Sequence, residues 1–343
     1  MSKPLRIAQV APLWSAIPPH TYGGIESLMF SLIEQLSERG HAVTLFATGD
    51  CHTSAELRPV METNLTERMM RNEASWQEYY VNTAVAEALA AAAEFDVIHF
   101  HVTPQWLPFL PLTKTRTLLT LHTYLCPDDH WLIHRYPGVR LAAISQAQTQ
   151  GLRAGIPVVY NACDFGAYAL TPEPGNYLAF LGRMSPQKNP AGAIELARKA
   201  GLPIVLAGEP QSDKEKAYFE QIVRPLLKEP GVEYLGGANF EQKCRLLGGA
   251  AALVFPITWP EPFGLVMIEA MACGTPVLAL KNGSVPELVE PGVTGYFADD
   301  LPALEKLLAP TLALDRAQVR AAAAQRFDMP RLVDDYLRLY RAP

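Results

Sequence analysis

The chain has 343 residues, 49% of them hydrophobic, and a formal net charge of −6, which is apolar material enough for two medium domains with separate cores. Basic residues come at most in scattered pairs, an arrangement that argues against nucleic acid as the main partner. No window approaches 18 uncharged apolar residues, so no membrane-spanning segment is expected, and only a peripheral membrane contact stays open.

The opening, MSKPLRIAQVAPL, is too short in its apolar run for a signal peptide and reads as a first strand over residues 5–13. Further strands are expected at 43–48, 96–101, 118–122, 142–145 and 157–160. Between them, residues 25–39 carry helical periodicity up to Gly40, and the alanine-rich stretch 76–93 forms a second helix. The rhythm returns at 177–181, 204–207, 232–235, 251–255, 276–280 and 295–297, and it closes on an amphipathic helix at 331–341. Strands alternating with helices predict two α/β halves, each a parallel sheet covered on both faces. The expected boundaries are 1–165 and 166–328, joined through FGAYALTPEPGN, with 329–343 as a terminal helix. Five cysteines, odd in number and widely spaced, suit a reducing, cytoplasmic setting better than a disulfide framework.

Residues 255–276, FPITWPEPFGLVMIEAMACGTP, concentrate the chemistry. Pro260 and Pro262 keep the loop out of the helical region, and a helix is predicted from Phe263 to near Gly274. The amides of Phe263, Gly264, Leu265 and Val266 would then lie at a helix N-terminus, where unpaired donors and the macrodipole favour an anion. Glu261 and Glu269 frame that mouth, and a carboxylate accepts hydroxyl hydrogen bonds of the kind a sugar or ribose offers. A plain core helix with one dipole-tuned and one solvated glutamate would carry the same residues; the proline-bracketed entry and the glycine favour a site.

Four more places bear on it. Gly23 and Gly24 follow the first strand and let the backbone approach a ligand closely. His122 ends the apolar run TLLTLH at a carboxyl edge, where ligands of open α/β sheets bind. Arg183 and Lys188 in FLGRMSPQKNP are expected to project together over a strand end, where fixed cations stabilise developing negative charge. Glu209 ends the strand before LAGEP turns away. There is no G-x-G for a dinucleotide and no D-x-D for a divalent ion. His99 and His101 share a strand face without a third ligand, which suits packing or hydrogen bonding better than zinc. No metal or other cofactor is expected.

EPFGLVMIE resembles the E-x7-E motif of the GT4 family of glycosyltransferases, and GRMSPQK is similar to that family's G-R-x-x-x-x-K. Departures stand at a few positions: VYNACD where the family has P-N-G-V-D, Asn189 where glycine is common, and LAGEP, around Glu209, where the family's Gly-x-Gly turn has its second glycine missing. The resemblance implies an α/β GT-B fold, with two facing Rossmann-like domains, a cleft between them and a C-terminal helix returning to the first. It implies metal-independent, retaining transfer of a hexosyl unit from a nucleotide-diphospho-sugar, UDP- or GDP-linked, to a hydroxyl of a sugar, glycan, lipid or small molecule. In that scheme Glu269 holds the ribose, and Arg183, Lys188 and the helix amides neutralise the diphosphate. Glu261 and His122 orient the sugar, with Gly23 and Gly24 beside the ligand and Glu209 bordering the nucleotide. An epimerase on the same fold would need acid and base carboxylates that are not evident, and a silent sugar-nucleotide-binding protein would have no use for Arg183, Lys188 and His122 together.

Overall fold

The apolar runs form strands that bury both faces, as parallel strands under helices must. β4 (Val97–Phe100), β7 (Leu178–Leu181), β10 (Ala252–Phe255) and β11 (Val277–Leu280) are buried at every position. These assignments come from a computed structural model, which describes residues 3–20 and 23–342. Thr21 and Tyr22 of the loop PPHTYGGIES lie outside the described residues.

Two compact units divide the chain. One comprises Met1–Asn161 with Met329–Pro343, the other Ala162–Asp328. The first unit adds β1 (Arg6–Val10), β2 (Ala42–Thr48), β3 (Glu56–Met61), β5 (Arg116–Leu121) and β6 (Leu141–Ala143) to β4, in the spatial order β3-β2-β1-β4-β5-β6. The second combines β7, β10 and β11 with β8 (Ile204–Ala207), β9 (Val232–Tyr234) and β12 (Gly295–Ala298), in the order β12-β11-β10-β7-β8-β9. Numbered within its own unit, each sheet reads 3-2-1-4-5-6, the doubly wound Rossmann order. All neighbouring pairs are parallel. The order reverses between β1 and β4 in one unit and between β7 and β10 in the other, and such switch points are where ligands of these sheets bind.

The terminal helix Met329–Arg341 belongs to the first unit. It buries Leu332, Val333, Tyr336, Leu337 and Tyr340 on one face. Arg39 Nη1 lies 2.5 Å from the Asp334 carboxylate, and Arg331 Nη2 donates to the Asn161 carbonyl at 3.1 Å.

Three local expectations are corrected. The strand expected at 157–160 is reduced to a single bridge between Val158 and Ala143, because a loop runs on either side of it. β3 was not expected; Glu56, Arg58 and Pro59 mask it, and those residues suit the edge position it occupies. The helix expected from Phe263 begins two residues later, at Leu265, because Gly264 takes a left-handed conformation at the N-cap (φ 84°).

Candidate active site

The β7–β10 switch point of the second unit carries most of the candidate residues. After β10 the chain enters the loop from Pro256 to Gly264, and other segments fix its course. Asn189 Nδ2 donates to the Pro256 carbonyl at 3.0 Å, the Thr258 amide to the Gln187 carbonyl at 2.9 Å, and Asn282 Nδ2 to the Ile257 carbonyl at 2.8 Å. Ser284 bonds twice, amide to Glu261 carbonyl at 3.0 Å and hydroxyl to Phe263 carbonyl at 2.6 Å. Gly283 is obligatory here, since a β-carbon would stand 2.2 Å from the Glu261 carbonyl oxygen. The bracing role of Asn282-Gly283-Ser284 was not expected from the sequence, although such a turn triplet is a recognisable signal.

Phe263 is buried and its ring meets that of Phe327 edge to face at 6.1 Å, which anchors the loop in the core. Leu265 and Val266 occupy the first turn of the helix Leu265–Ala272, where no carbonyl four residues back is available to their amides. A β-carbon on Gly264 would come within 3.3 Å of the Phe255 ring and 2.8 Å of the Met267 methyl.

Lys188 and Glu261 are brought together. The Lys188 ammonium lies 2.5 Å from Glu261 Oε2, and both side chains are largely buried. Trp259 Nε1 donates to the same oxygen at 2.7 Å, and the ammonium stands 5.5 Å from the centres of the Phe255 and Trp259 rings. Asn189, directly after Lys188, holds a left-handed backbone (φ 56°) and caps the next helix by accepting from the Gly192 amide at 3.0 Å. Asparagine tolerates that region, which is why the departure from glycine costs little there.

Arg183 does not join this pair. Its Nη1 lies 2.7 Å from the buried carboxylate of Glu215, at the start of the short helix Asp213–Tyr218. One cation, not two, therefore stands at Glu261 in the free protein. Glu209 sits where the turns after β7, β8 and β9 touch. Its carbonyl accepts from the Met184 amide at 3.3 Å, and the Gly208 amide donates to the Gly236 carbonyl at 2.7 Å. Its carboxylate packs on Gly237, where a β-carbon would be 3.1 Å from Oε2.

Glu269 lies further along the helix and is similarly engaged. Its Oε1 accepts the Tyr168 hydroxyl at 2.9 Å and pairs with Lys243. The Lys243 ammonium is cradled by the rings of Tyr168 (5.6 Å) and Phe240 (5.3 Å). Burial, with the adjacent Glu269 charge, pushes the Tyr168 phenol up, so it remains a donor. Tyr168, Lys243, Trp259 and Glu215 were not found from the sequence.

In the first unit, Gly23 precedes the helix Gly24–Glu38 in extended conformation. A β-carbon on it would stand 2.7 Å from Pro19 and 3.0 Å from Glu26 Oε2, which is a packing reason for the glycine. Glu26 is buried, and burial raises its carboxyl to about 7 against the pull of its own backbone amide. His122 follows β5 directly. Its Nε2 lies 2.8 Å from His101 Nδ1, its Nδ1 is buried without a partner among the described residues, and burial lowers the ring to about 4. It is a neutral imidazole at pH 7 with one nitrogen unused.

Two Rossmann-ordered units, each with polar side chains gathered at a switch point, define the GT-B class of glycosyltransferase folds. Residues 22–164 match the family described as Glycosyltransferase Family 4, and residues 168–320 match the one described as Glycosyl transferases group 1. The chain belongs to this GT4-type family. Among its relatives is the D-inositol 3-phosphate glycosyltransferase of Mycobacterium leprae, 30% identical over 244 residues, which are 66% of this chain and 52% of that one. That of Mycolicibacterium paratuberculosis is 31% identical over 66% of this chain and 50% of its own. The chain thus spans about half the length of the curated relatives it matches. AviGT4, a glycosyltransferase involved in avilamycin A biosynthesis, superposes with a TM-score of 0.73 at 25% identity, covering 98% of this chain and 97% of its own. Anabaena Alr3699/HepE, solved with UDP and glucose, shares the fold at a TM-score of 0.75 and 22% identity, over 99% of this chain and 100% of its own. Among the described residues, no helix is long and apolar enough to cross a membrane.

Proposed function

We propose that the protein is a retaining, metal-independent glycosyltransferase that moves a hexosyl unit from a nucleotide-diphospho-sugar to a hydroxyl acceptor. The observation that carries this reading is the Lys188–Glu261 pair beside the Gly264 turn, at the switch point of the second sheet. A diphosphate entering there meets the Leu265 and Val266 amides and replaces Glu261 as the partner of Lys188. Glu261, so released, accepts hydrogen bonds from sugar hydroxyls. Glu269 takes the ribose diol through Oε2, the oxygen that Tyr168 and Lys243 leave open. Arg183 reaches the diphosphate by exchanging Glu215 for it.

In the transfer, the bond from the anomeric carbon to the phosphate oxygen breaks and its electron pair leaves on the diphosphate. Fixed cations and amides stabilise the charge that develops. The acceptor oxygen bonds to the anomeric carbon from the leaving-group side and yields its proton to a phosphate oxygen. His122 is assigned to a substrate hydroxyl. The five free thiols support a reducing compartment, and the cytoplasm is proposed.

HepE has been solved with UDP-glucose, so UDP-sugars are the first arm of the test. The protein is incubated with UDP-, GDP- and ADP-sugars, with and without sugar, lipid and small-molecule acceptors, and release of nucleoside diphosphate is followed. Acceptor-dependent release, with the anomeric configuration kept in the product by NMR, is expected. Release that ignores every acceptor, or an inverted product, would sink the reading.

A further inference from the structure

His122 ends a line of buried polar groups inside the first unit. From His122 Nε2 the line passes to His101 Nδ1 (2.8 Å), then from His101 Nε2 to Gln9 Oε1 (2.7 Å). Gln9 Nε2 reaches the Tyr340 hydroxyl at 3.2 Å, and that hydroxyl lies 2.7 Å from His99 Nδ1. His99 Nε2 continues to Thr120 Oγ1 at 2.7 Å, and Thr120 to the Tyr336 hydroxyl at 3.1 Å. Gln9, His99, His101, Thr120, Tyr336 and Tyr340 are all buried. Three neighbouring strands and the terminal helix meet in it.

A line of this kind has a direction. Hydroxyls rotate and neutral imidazoles change tautomer, so those members follow their neighbours. An amide oxygen only accepts and an amide nitrogen only donates. With Oε1 facing His101, the His101 hydrogen must be on Nε2. Its bare Nδ1 then accepts from His122 Nε2–H, and His122 Nδ1 is left with a lone pair. On the other side, Gln9 Nε2 donates to Tyr340, which passes its own hydrogen to His99 Nδ1. Turning the amide over would reverse every bond and leave a buried N–H on His122 Nδ1 with no acceptor among the described residues. Orphaned buried N–H groups are the rarer kind. Burial holds all three rings neutral, His99 and His101 well below the ordinary value.

We propose that Gln9, anchored by Tyr340, is a positioning residue that imposes the Nε2–H tautomer on His122, so that His122 Nδ1 presents a bare lone pair and accepts a hydrogen bond from a substrate hydroxyl. The substrate half of this statement rests on the glycosyltransferase reading; the tautomer half does not. The hydroxyl that meets His122 must be a donor. A deoxyfluoro sugar at that position is bound less well, by up to about tenfold for one lost hydrogen bond.

The test uses the full chain with 15N-labelled histidine, read by long-range 1H–15N correlation at pH 7 without substrate. The wild type is expected to show His122 with a protonated Nε2 and a bare Nδ1. Gln9→Met removes the director, and the ring is expected to populate both tautomers. Tyr340→Phe keeps the buried shape while freeing the amide to turn, and it is expected to produce a mixture as well, which covers the case in which Gln9→Met does not fold. A proton on His122 Nδ1 in the wild type, or an unchanged His122 pattern in Tyr340→Phe, overturns the proposal. Because no substrate is present, a correct tautomer with no turnover on any donor would defeat the glycosyltransferase reading alone.

Discussion

Lys188 and Glu261, 73 positions apart, are each other's partner at 2.5 Å. Two groups expected at different parts of one ligand thus neutralise each other while the site is free. The pair is well buried, so each member depends on the other until a ligand intervenes.

Truncating one member of a buried pair typically costs about 3 to 5 kcal/mol, because the other is left unpaired. Lys188→Ala is expected near the lower end, since Trp259 Nε1 still donates to Glu261. Its turnover is expected to fall by about 10²- to 10³-fold from lost charge stabilisation. The double variant Lys188→Met/Glu261→Gln should regain most of the stability in urea titrations but none of the turnover. A double variant as unstable as Lys188→Ala would contradict the pairing.

Glu269→Ala should weaken nucleotide binding by roughly tenfold to a hundredfold, as expected for hydrogen bonds to a charged group. Lys243→Met removes a neighbour rather than the acceptor, and it should leave affinity within a few fold. Calorimetry with UDP, GDP and ADP reads both. Unchanged affinity for every nucleotide in Glu269→Ala would remove the ribose assignment.

Glu26 makes a prediction of opposite character. Its carboxyl is raised from 4.5 to about 7 by burial, so the folded state holds a proton that the unfolded state has already released in that interval. Stability therefore falls as pH rises from 4.5 to 7, and the penalty is complete above that. Glu26→Gln should stabilise the protein at pH 8 by up to about 3 kcal/mol, with the gain vanishing near pH 4. Equal stability of the two proteins at pH 8 would show that the carboxyl is already ionised at no cost.

The histidines act the other way. His122 is lowered from 6.5 to about 4, and His99 and His101 lie well below 6.5, all chiefly through burial. Their neutral forms stabilise the fold fully above pH 6.5, and that contribution is lost as pH falls toward 4, at about 3 kcal/mol for His122 alone. An NMR titration should find His99, His101 and His122 still neutral at pH 5.5. Titration of these three near the ordinary imidazole value would place their rings in water.

The strands were legible wherever an apolar run ended in a turn, and eleven of the twelve strands among the described residues were expected from that pattern. β3 was hidden because an edge strand carries charges and a proline without penalty. The start of the helix at Leu265 was hidden because the handedness of Gly264 is a backbone property with no side-chain signature. Residue type revealed Lys188 and His122 beyond strand ends, Glu261 in a loop and Glu269 in a helix as polar groups, but not what each would touch. Arg183 shows the limit: it follows β7 closely in the chain, yet its guanidinium pairs with Glu215 and not beside Lys188. Gln9 was overlooked inside RIAQV, although one amide in an otherwise apolar strand is itself a request for buried partners.

Gly208 stands at φ 126°, and a β-carbon there would fall 1.9 Å from the Gly182 carbonyl oxygen. Every alanine or serine at this point must prise two strand ends apart before any ligand arrives. A mutational scan scored only by product formation would therefore flag Gly208 as though it gripped the donor, and libraries built to change specificity should hold it fixed.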